Sequence, residues 1–227
     1  MKIEKYYDSD NAKNYEQRRA GGLWQSENKA FVKMYNTILK TYDSDKTMLK
    51  ILDLPVGTGR WIPFLTSNVK SYVGVDISPY MLEQAESKIN DNSKFDTNFE
   101  NHEWENYLPT VKQHYDLIIS TRFFAHFNAN DTKKMMKMLS DATSGHLITQ
   151  VRACDNHFTY YLEILLGLIK NPFRMFKRWK KSGRLSTSHP RSVYMNGLSE
   201  AGFDLKDAEV LQKDFLSDFE YWLVKKK

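Results

Sequence analysis

Two carboxylates, each closing an apolar run, with a glycine turn between them, have the spacing in this chain that can do chemistry. Lys50-Ile51-Leu52-Asp53 reads as a buried strand ending in an acid, and Leu54-Pro55-Val56-Gly57-Thr58-Gly59-Arg60 follows as a turn running toward a helix start. About twenty residues further on, Tyr72-Val73-Gly74-Val75-Asp76 repeats the pattern. A glycine turn lets backbone approach a ligand, and an acid at the tip of the next strand can grip two ribose hydroxyls. The pair therefore predicts a nucleoside site. A dinucleotide turn would carry a third glycine where this chain has Ile62, and no Lys followed by Ser or Thr comes after the turn. Neither a dinucleotide fingerprint nor a phosphate-cradling loop is present, so the turn need not hold phosphate.

The elements that would position these residues alternate. Strands are expected over 48–54, 71–77, 98–102, 115–121 and 146–151, the third only weakly signalled. Helices are expected over 60–67, from Ser78-Pro79 onward, and over 132–142. Pro63 is tolerable in the first of these only because it falls in the first turn, and Ser78 is a helix cap with Pro79 following it. Such alternation implies a mainly parallel sheet covered by helices on both faces. Before it come a short helix over 9–19, capped by Asp10 or Asn11, and a second over 25–41. After it come an apolar-to-basic stretch over 157–181, a helix over 189–201, and two strand-like runs over 209–213 and 221–226 that predict an antiparallel hairpin at the sheet edge. The expected fold is a three-layer α/β sandwich, Rossmann-like, with a seven-stranded mostly parallel sheet.

With the motifs in place, Asp53-Leu54-Pro55-Val56-Gly57-Thr58-Gly59 resembles the first motif of the class I S-adenosylmethionine-dependent methyltransferases, with Pro55 where the usual pattern has its first glycine. Gly74-Val75-Asp76-Ile77-Ser78 with Met81-Leu82 and Ala85 resembles their ribose-binding strand and helix. His102-Glu103-Trp104-Glu105 resembles the adenine loop, Tyr115 through Phe123 the fourth-motif strand and its exit, and Ala201-Gly202-Phe203 the late turn before the closing hairpin. The resemblance covers roughly residues 45–225. It implies S-adenosylmethionine as cofactor, held by Asp53, Pro55, Gly57, Thr58, Gly59, Asp76, Ile77, Met81, Glu103, Trp104 and Thr121. In that scheme Asp53 reaches the methionine ammonium through water and Asp76 takes both ribose hydroxyls. Gly57 and Gly59 offer bare backbone, Ile77 and Met81 sandwich adenine, and Glu103 accepts from its amino group. Competing structural readings stand beside these: Met81 as simple core, Glu103 as a solvated charge, and the two Asp residues as strand-end turns.

A methyl donor arrives activated, so such an enzyme needs alignment more than strong acid–base chemistry; positioning alone can supply about 7–11 kcal/mol. His126, just past the fourth-motif exit, is the candidate base for a hydroxyl or ammonium acceptor, against a reading in which it only buttresses the next helix. The segment 1–45 is expected to form an N-terminal helical lid. Tyr15 and Arg18 would share one helix face there, Arg18 pairing with the methionine carboxylate and Tyr6 or Tyr15 lining the methyl channel. The core is expected over 46–154, a helical substrate cap over 155–190 and the rest of the core over 191–227.

The chain has 227 residues, 41% hydrophobic and 27% charged, and a formal net charge of +5. One cysteine, Cys154, excludes an internal disulfide and a cysteine-rich metal site. With no signal-peptide core and no membrane-length apolar run, a cytoplasmic location is expected. Basicity is concentrated: between Glu163 and Glu200 there are eight Lys or Arg and no acid. Three readings of 157–181 compete: a cap over a hydrophobic or anionic acceptor, a helix pair touching anionic lipid, and a packed helix with a solvated basic end. The resemblance thus implies transfer of a methyl group to a small-molecule substrate, with hydrophobic, lipid-linked and saccharide acceptors all open. An RNA methyltransferase is the alternative, disfavoured because no RNA-binding module accompanies the fold; a catalytically silent cofactor-binding regulatory subunit is another.

Overall fold

The computed structural model describes residues 9–15, 21–42, 48–89, 95–112, 114–182 and 184–227. The elements in chain order are α1 (Ser9–Lys13), α2 (Gly22–Leu39), β1 (Leu49–Asp53), β2 (Val69–Asp76), α3 (Pro79–Glu86), β3 (Asp96–Asn101), α4 (Trp104–Tyr107), β4 (Tyr115–Ser120), α5 (Ala129–Ala142), β5 (Thr143–Cys154), α6 (His157–Lys170), α7 (Pro172–Ser182), β6 (His189–Pro190), α8 (Arg191–Glu200), β7 (Phe203–Lys213) and β8 (Asp218–Lys226).

The strands form one sheet in the order β3-β2-β1-β4-β5-β8-β7. The neighbours from β3 to β5 pair in parallel, and β8 is antiparallel to both β5 and β7. The mostly parallel sheet and its antiparallel C-terminal hairpin are as expected. The two-residue β6 adds an eighth strand by pairing with the end of β5 at Ala153 and Cys154, a contact too short to leave a sequence signal. Because β1 is flanked by β2 on one side and β4 on the other, the chain order reverses there, and a crevice opens beyond the carboxyl ends of β1 and β4.

Two apolar layers hold the sheet. One face packs against α5 and α8 through Met135, Leu139, Tyr194 and Leu198. The other packs against α2, whose Phe31, Met34, Tyr35 and Ile38 recur at helical spacing and are fully buried against Ile51, Trp61 and Tyr221. Within the 1–45 segment, then, α2 is a layer of the core. Burying such side chains contributes about 1.5–3 kcal/mol each.

Three local expectations are corrected. Residues 60–67 do not form an α-helix: turns run through 57–61, and a single 3₁₀ turn occupies Ile62–Phe64 before the chain becomes extended at Leu65. Pro63 has no N–H to bond the carbonyl of Gly59, and the bonds that form are of the three-residue kind, Phe64 to Trp61 and Leu65 to Ile62. Asp10 lies in the first turn of α1 rather than before it. The closing strands begin earlier than expected, at Phe203 and Asp218; in β8 the added Glu220 is fully buried and held by Arg191, a buried charge that apolar runs do not signal. By contrast Ser78 caps α3 as expected, its Oγ accepting from the Met81 N–H, with Pro79 in the first turn. Pro172 separates α6 from α7, also as expected.

Candidate functional site

The crevice at the switch point contains a cavity of about 310 Å³, within the size range of small-ligand sites. Its walls include the 54–58 turn after β1, Asp76 and Ile77 after β2, Met81 of α3, Glu103 and Trp104 at the start of α4, and Thr121 after β4. Four strand ends and the start of α3 contribute, and of the expected cofactor residues Pro55, Gly57, Thr58, Asp76, Ile77, Met81, Glu103, Trp104 and Thr121 are brought together here.

Asp76 is held by its surroundings. Its Oδ2 accepts the Gly57 N–H at 2.9 Å and its Oδ1 accepts the Ser78 N–H at 2.9 Å. Burial pushes its carboxyl up to about 6, while those backbone N–H groups pull the other way, so it is mainly ionised at neutral pH. Gly57 has φ +56°, and a Cβ there would meet nothing within 4 Å. The bare backbone faces open space, as a close-lying ligand requires.

Two expected cofactor contacts are placed differently. Gly59 does not line the cavity. With φ +69°, a Cβ there would come within 2.9 Å of the Ala85 Cα and 2.6 Å of the Ile62 side chain. Its work is to seat the turn on α3, and Ile62 fills the space beside it. Asp53 also stands behind the wall, fully buried. Its Oδ2 accepts the Tyr72 hydroxyl at 2.7 Å, while Oδ1 has no hydrogen-bond partner among the described residues. Burial pushes its carboxyl up to about 8, and the nearby Asp76 charge adds to the rise. An acceptor atom left unsatisfied beneath the turn fits a site that completes its bonding when a cationic or hydrated group arrives.

The methionine end expected for the cofactor is the part the sequence left incomplete. Arg18 and Tyr6 lie outside the described residues. Tyr15 does line the cavity. Beside it stands a buried charge cluster. Glu27 of α2 is fully buried and receives Arg122 Nη2 on both carboxylate oxygens, at 2.7 and 2.6 Å, and the Arg60 guanidinium as well. Arg60 also donates to Asn28 Oδ1 and the Trp24 carbonyl, and its guanidinium lies 3.4 Å from the centre of the Trp24 ring. Burial pulls both guanidinium pKa values down. It prevails at Arg60, whereas at Arg122 the Glu27 carboxylate outweighs it and the shift is upward. Two cations against one anion leave a net positive wall, and Arg122 Nε is a buried donor without a partner among the described residues. Arg122 takes φ +57°, a left-handed conformation uncommon for a non-glycine residue, and its N–H is held by Gln150 Oε1 at 3.0 Å. Sequence reasoning missed this cluster. One signal was available: Glu27 occupies the apolar face of α2, four residues before Phe31 and seven before Met34.

His126 ends a 3₁₀ turn over Phe124–His126 and lies at the cavity mouth, solvent-exposed, with Phe123 nearby in the wall. Segment 184–190 braces that turn: Arg184 Nη1 donates to the Ala125 carbonyl at 2.8 Å, and the His189 ring lies 2.9 Å from the Phe127 carbonyl. The exit loop is thus tied to the region following α7.

Residues 51–144 match the family profile described as a methyltransferase domain. That segment, from β1 to the start of β5, is similar to a methyltransferase domain, which supports a class I S-adenosylmethionine-dependent methyltransferase. Among solved structures, magnesium protoporphyrin IX methyltransferase from Synechocystis PCC 6803, with bound SAH, is similar at a TM-score of 0.67 and 15% identity, covering 99% of this chain and 98% of that one. The cyclopropane synthase MmaA2 from Mycobacterium tuberculosis is similar at a TM-score of 0.62 and 14% identity, covering 86% and 84%. The mycolic acid cyclopropane synthase CmaA1, complexed with SAH and CTAB, is similar at a TM-score of 0.60 and 13% identity, covering 80% and 79%. No curated protein sequence matches this chain significantly. Asp76, Met81, Glu103 and Thr121 line the crevice beyond the carboxyl ends of the parallel strands.

Proposed function

We propose that this methyltransferase passes a methyl group from S-adenosylmethionine, by direct displacement, to a small-molecule acceptor with substantial apolar character. The observation that carries the reading is one cavity with two kinds of wall. Gly57, Asp76, Ile77 and Met81 suit a nucleoside, and Phe123, His126 and Tyr15, on the same lining, are the wall a second molecule would meet.

The cofactor supplies an electrophilic methyl on a sulfonium that leaves as a neutral thioether. Asp76, ionised, accepts both ribose hydroxyls in charge-assisted bonds. Ile77 and Met81 hold the adenine, while Glu103 and the first-turn N–H of Trp104 address its edge. Arg122, supported by Glu27 and Arg60, takes the methionine carboxylate, a role expected of Arg18. Asp53 stabilises the ammonium through water from beneath the turn. For a hydroxyl acceptor the His126 imidazole receives the proton as the new bond to carbon forms; for an ammonium acceptor it takes the proton first, freeing the lone pair that attacks. Proteins of similar fold named for a magnesium protoporphyrin IX and for mycolic acids support an acceptor of large apolar character.

The test is twofold. Calorimetry should show S-adenosylhomocysteine binding that Asp76→Ala weakens about 100-fold, from the loss of two charge-assisted bonds. Incubation with labelled methyl donor and fractionated cell extract should place label in metabolite or lipid fractions. Label confined to RNA would overturn the acceptor class, and stabilisation by NAD in place of S-adenosylhomocysteine would overturn the cofactor.

A further inference from the structure

Eight of the thirteen exposed large hydrophobic side chains among the described residues lie on α6 and α7. On α6 they recur as Phe158, Tyr161, Leu165 and Leu168, one helical face with Ile169 beside it, and no residue of that helix is fully buried. On α7 they are Phe173, Phe176 and Trp179; Phe173 is 88% exposed and Ile169 69%. The two helices form a fixed corner. Met175 is buried where α7 meets α6, and a Cβ added at Gly167 would stand 3.0 Å from the Met175 sulfur. The Asn171 side chain caps the second helix by accepting the Arg174 N–H at 3.1 Å. Lys170, Arg174, Lys177 and Lys180 are exposed on the same corner, and the sequence carries no acid from Ile164 to Ser199.

We infer that the α6–α7 corner is a docking surface for an anionic lipid bilayer. Phe173, Ile169 and Trp179 enter the headgroup–acyl boundary, and the lysines and arginines meet lipid phosphates. An apolar face rimmed by cations and no anions is complementary to such an interface. It is a poor match for a second copy of the same patch, because a two-fold contact would set each cluster of cations against its equal. The aliphatic Leu165, Leu168 and Ile169 offer nothing to the base stacking and phosphate contacts on which single-stranded nucleic acid depends. The contact is peripheral, since no described helix is long and apolar enough to cross a membrane. This inference rests on the surface alone and stands apart from the assignment of the acceptor.

The test is flotation of the full chain with vesicles of phosphatidylcholine alone and of phosphatidylcholine mixed with phosphatidylglycerol. The mixed vesicles should bind it at least about tenfold more tightly, with the difference reduced by salt. Ile169→Glu combined with Phe173→Glu should remove binding, and Lys177→Glu with Lys180→Glu should weaken it about tenfold or more. All four side chains are exposed, so unchanged melting temperature and unchanged S-adenosylhomocysteine binding should confirm that the variants are folded. Failure of the unaltered protein to bind anionic vesicles would overturn the proposal. So would binding indifferent to the Ile169 and Phe173 changes, or sedimentation showing that the patch is consumed in a dimer that ignores lipid. Retention by RNA without retention by vesicles would overturn it as well.

Discussion

Asp53→Asn should make the ligand-free protein more stable at neutral pH while weakening its hold on the cofactor. The Asp53 carboxyl is fully buried, with Tyr72 on one oxygen and, among the described residues, nothing on the other. Burial is the main reason its pKa rises from 3.8 to about 8. The unfolded chain therefore releases this proton near pH 4, and the folded chain keeps it until about pH 8. Between these limits the folded state binds the extra proton, so stability falls as pH rises, by about 1.4 kcal/mol per pH unit. The contribution is complete below pH 4 and lost above pH 8. By pH 7 the loss is about 4 kcal/mol. Asparagine has no such titration, but it leaves an unpaired amide where Oδ1 stands, at about 1–3 kcal/mol. The variant should therefore gain about 1–3 kcal/mol at pH 7 and be the less stable protein below about pH 5. Urea denaturation of both ligand-free proteins at intervals from about pH 4 to pH 8 reads the two curves. Asp76 is present in both, and its charge is part of what raises the Asp53 pKa, so the difference reads Asp53 in that setting. Parallel curves would refute the reasoning, because they would mean that Asp53 does not change protonation between folded and unfolded chains. Calorimetry on the same proteins should show affinity for S-adenosylmethionine falling roughly tenfold to 100-fold in the variant, the worth of one bond to a charged group.

Glu27→Gln should lower stability by about 3–5 kcal/mol, because two buried guanidinium groups lose their common anion; a denaturant midpoint equal to that of the unaltered protein would exclude the buried pairing. Gly59→Ala should cost about 1–3 kcal/mol, since the new Cβ falls 2.9 Å from the Ala85 Cα at φ +69°, and thermal denaturation should show it whether or not ligand is present. His126→Asn should leave S-adenosylhomocysteine affinity unchanged and lower kcat by about 10²–10⁴ toward a hydroxyl or ammonium acceptor once one is in hand. An unaffected rate with such an acceptor would remove His126 from proton transfer.

What the sequence determined by itself was the nucleoside half of the site. Apolar runs ending in Asp53 and Asp76, the turn at Gly57, the Ser78-Pro79 helix start and the break at Pro172 are written in neighbouring residues, because strand period, glycine conformation and capping are local physics. The same locality explains the misreading of 60–67, where a helix-compatible stretch is turned into a 3₁₀ bend by Pro63 and by the burial of Trp61 beneath α2. Only the tertiary structure decided how the charges are shared. Glu27, Arg60 and Arg122 come from α2, the turn after β1 and the exit of β4, and they meet because a desolvated guanidinium requires an anion wherever the chain can supply one. Tertiary packing also moved Asp53 and Gly59 from the ligand surface to its foundation, where Tyr72 and Ala85 are their neighbours. Among the described residues it left the face of α6 and α7 without a covering element. Composition could state that this segment was apolar and basic; which side of it meets solvent depended on where the rest of the molecule ends.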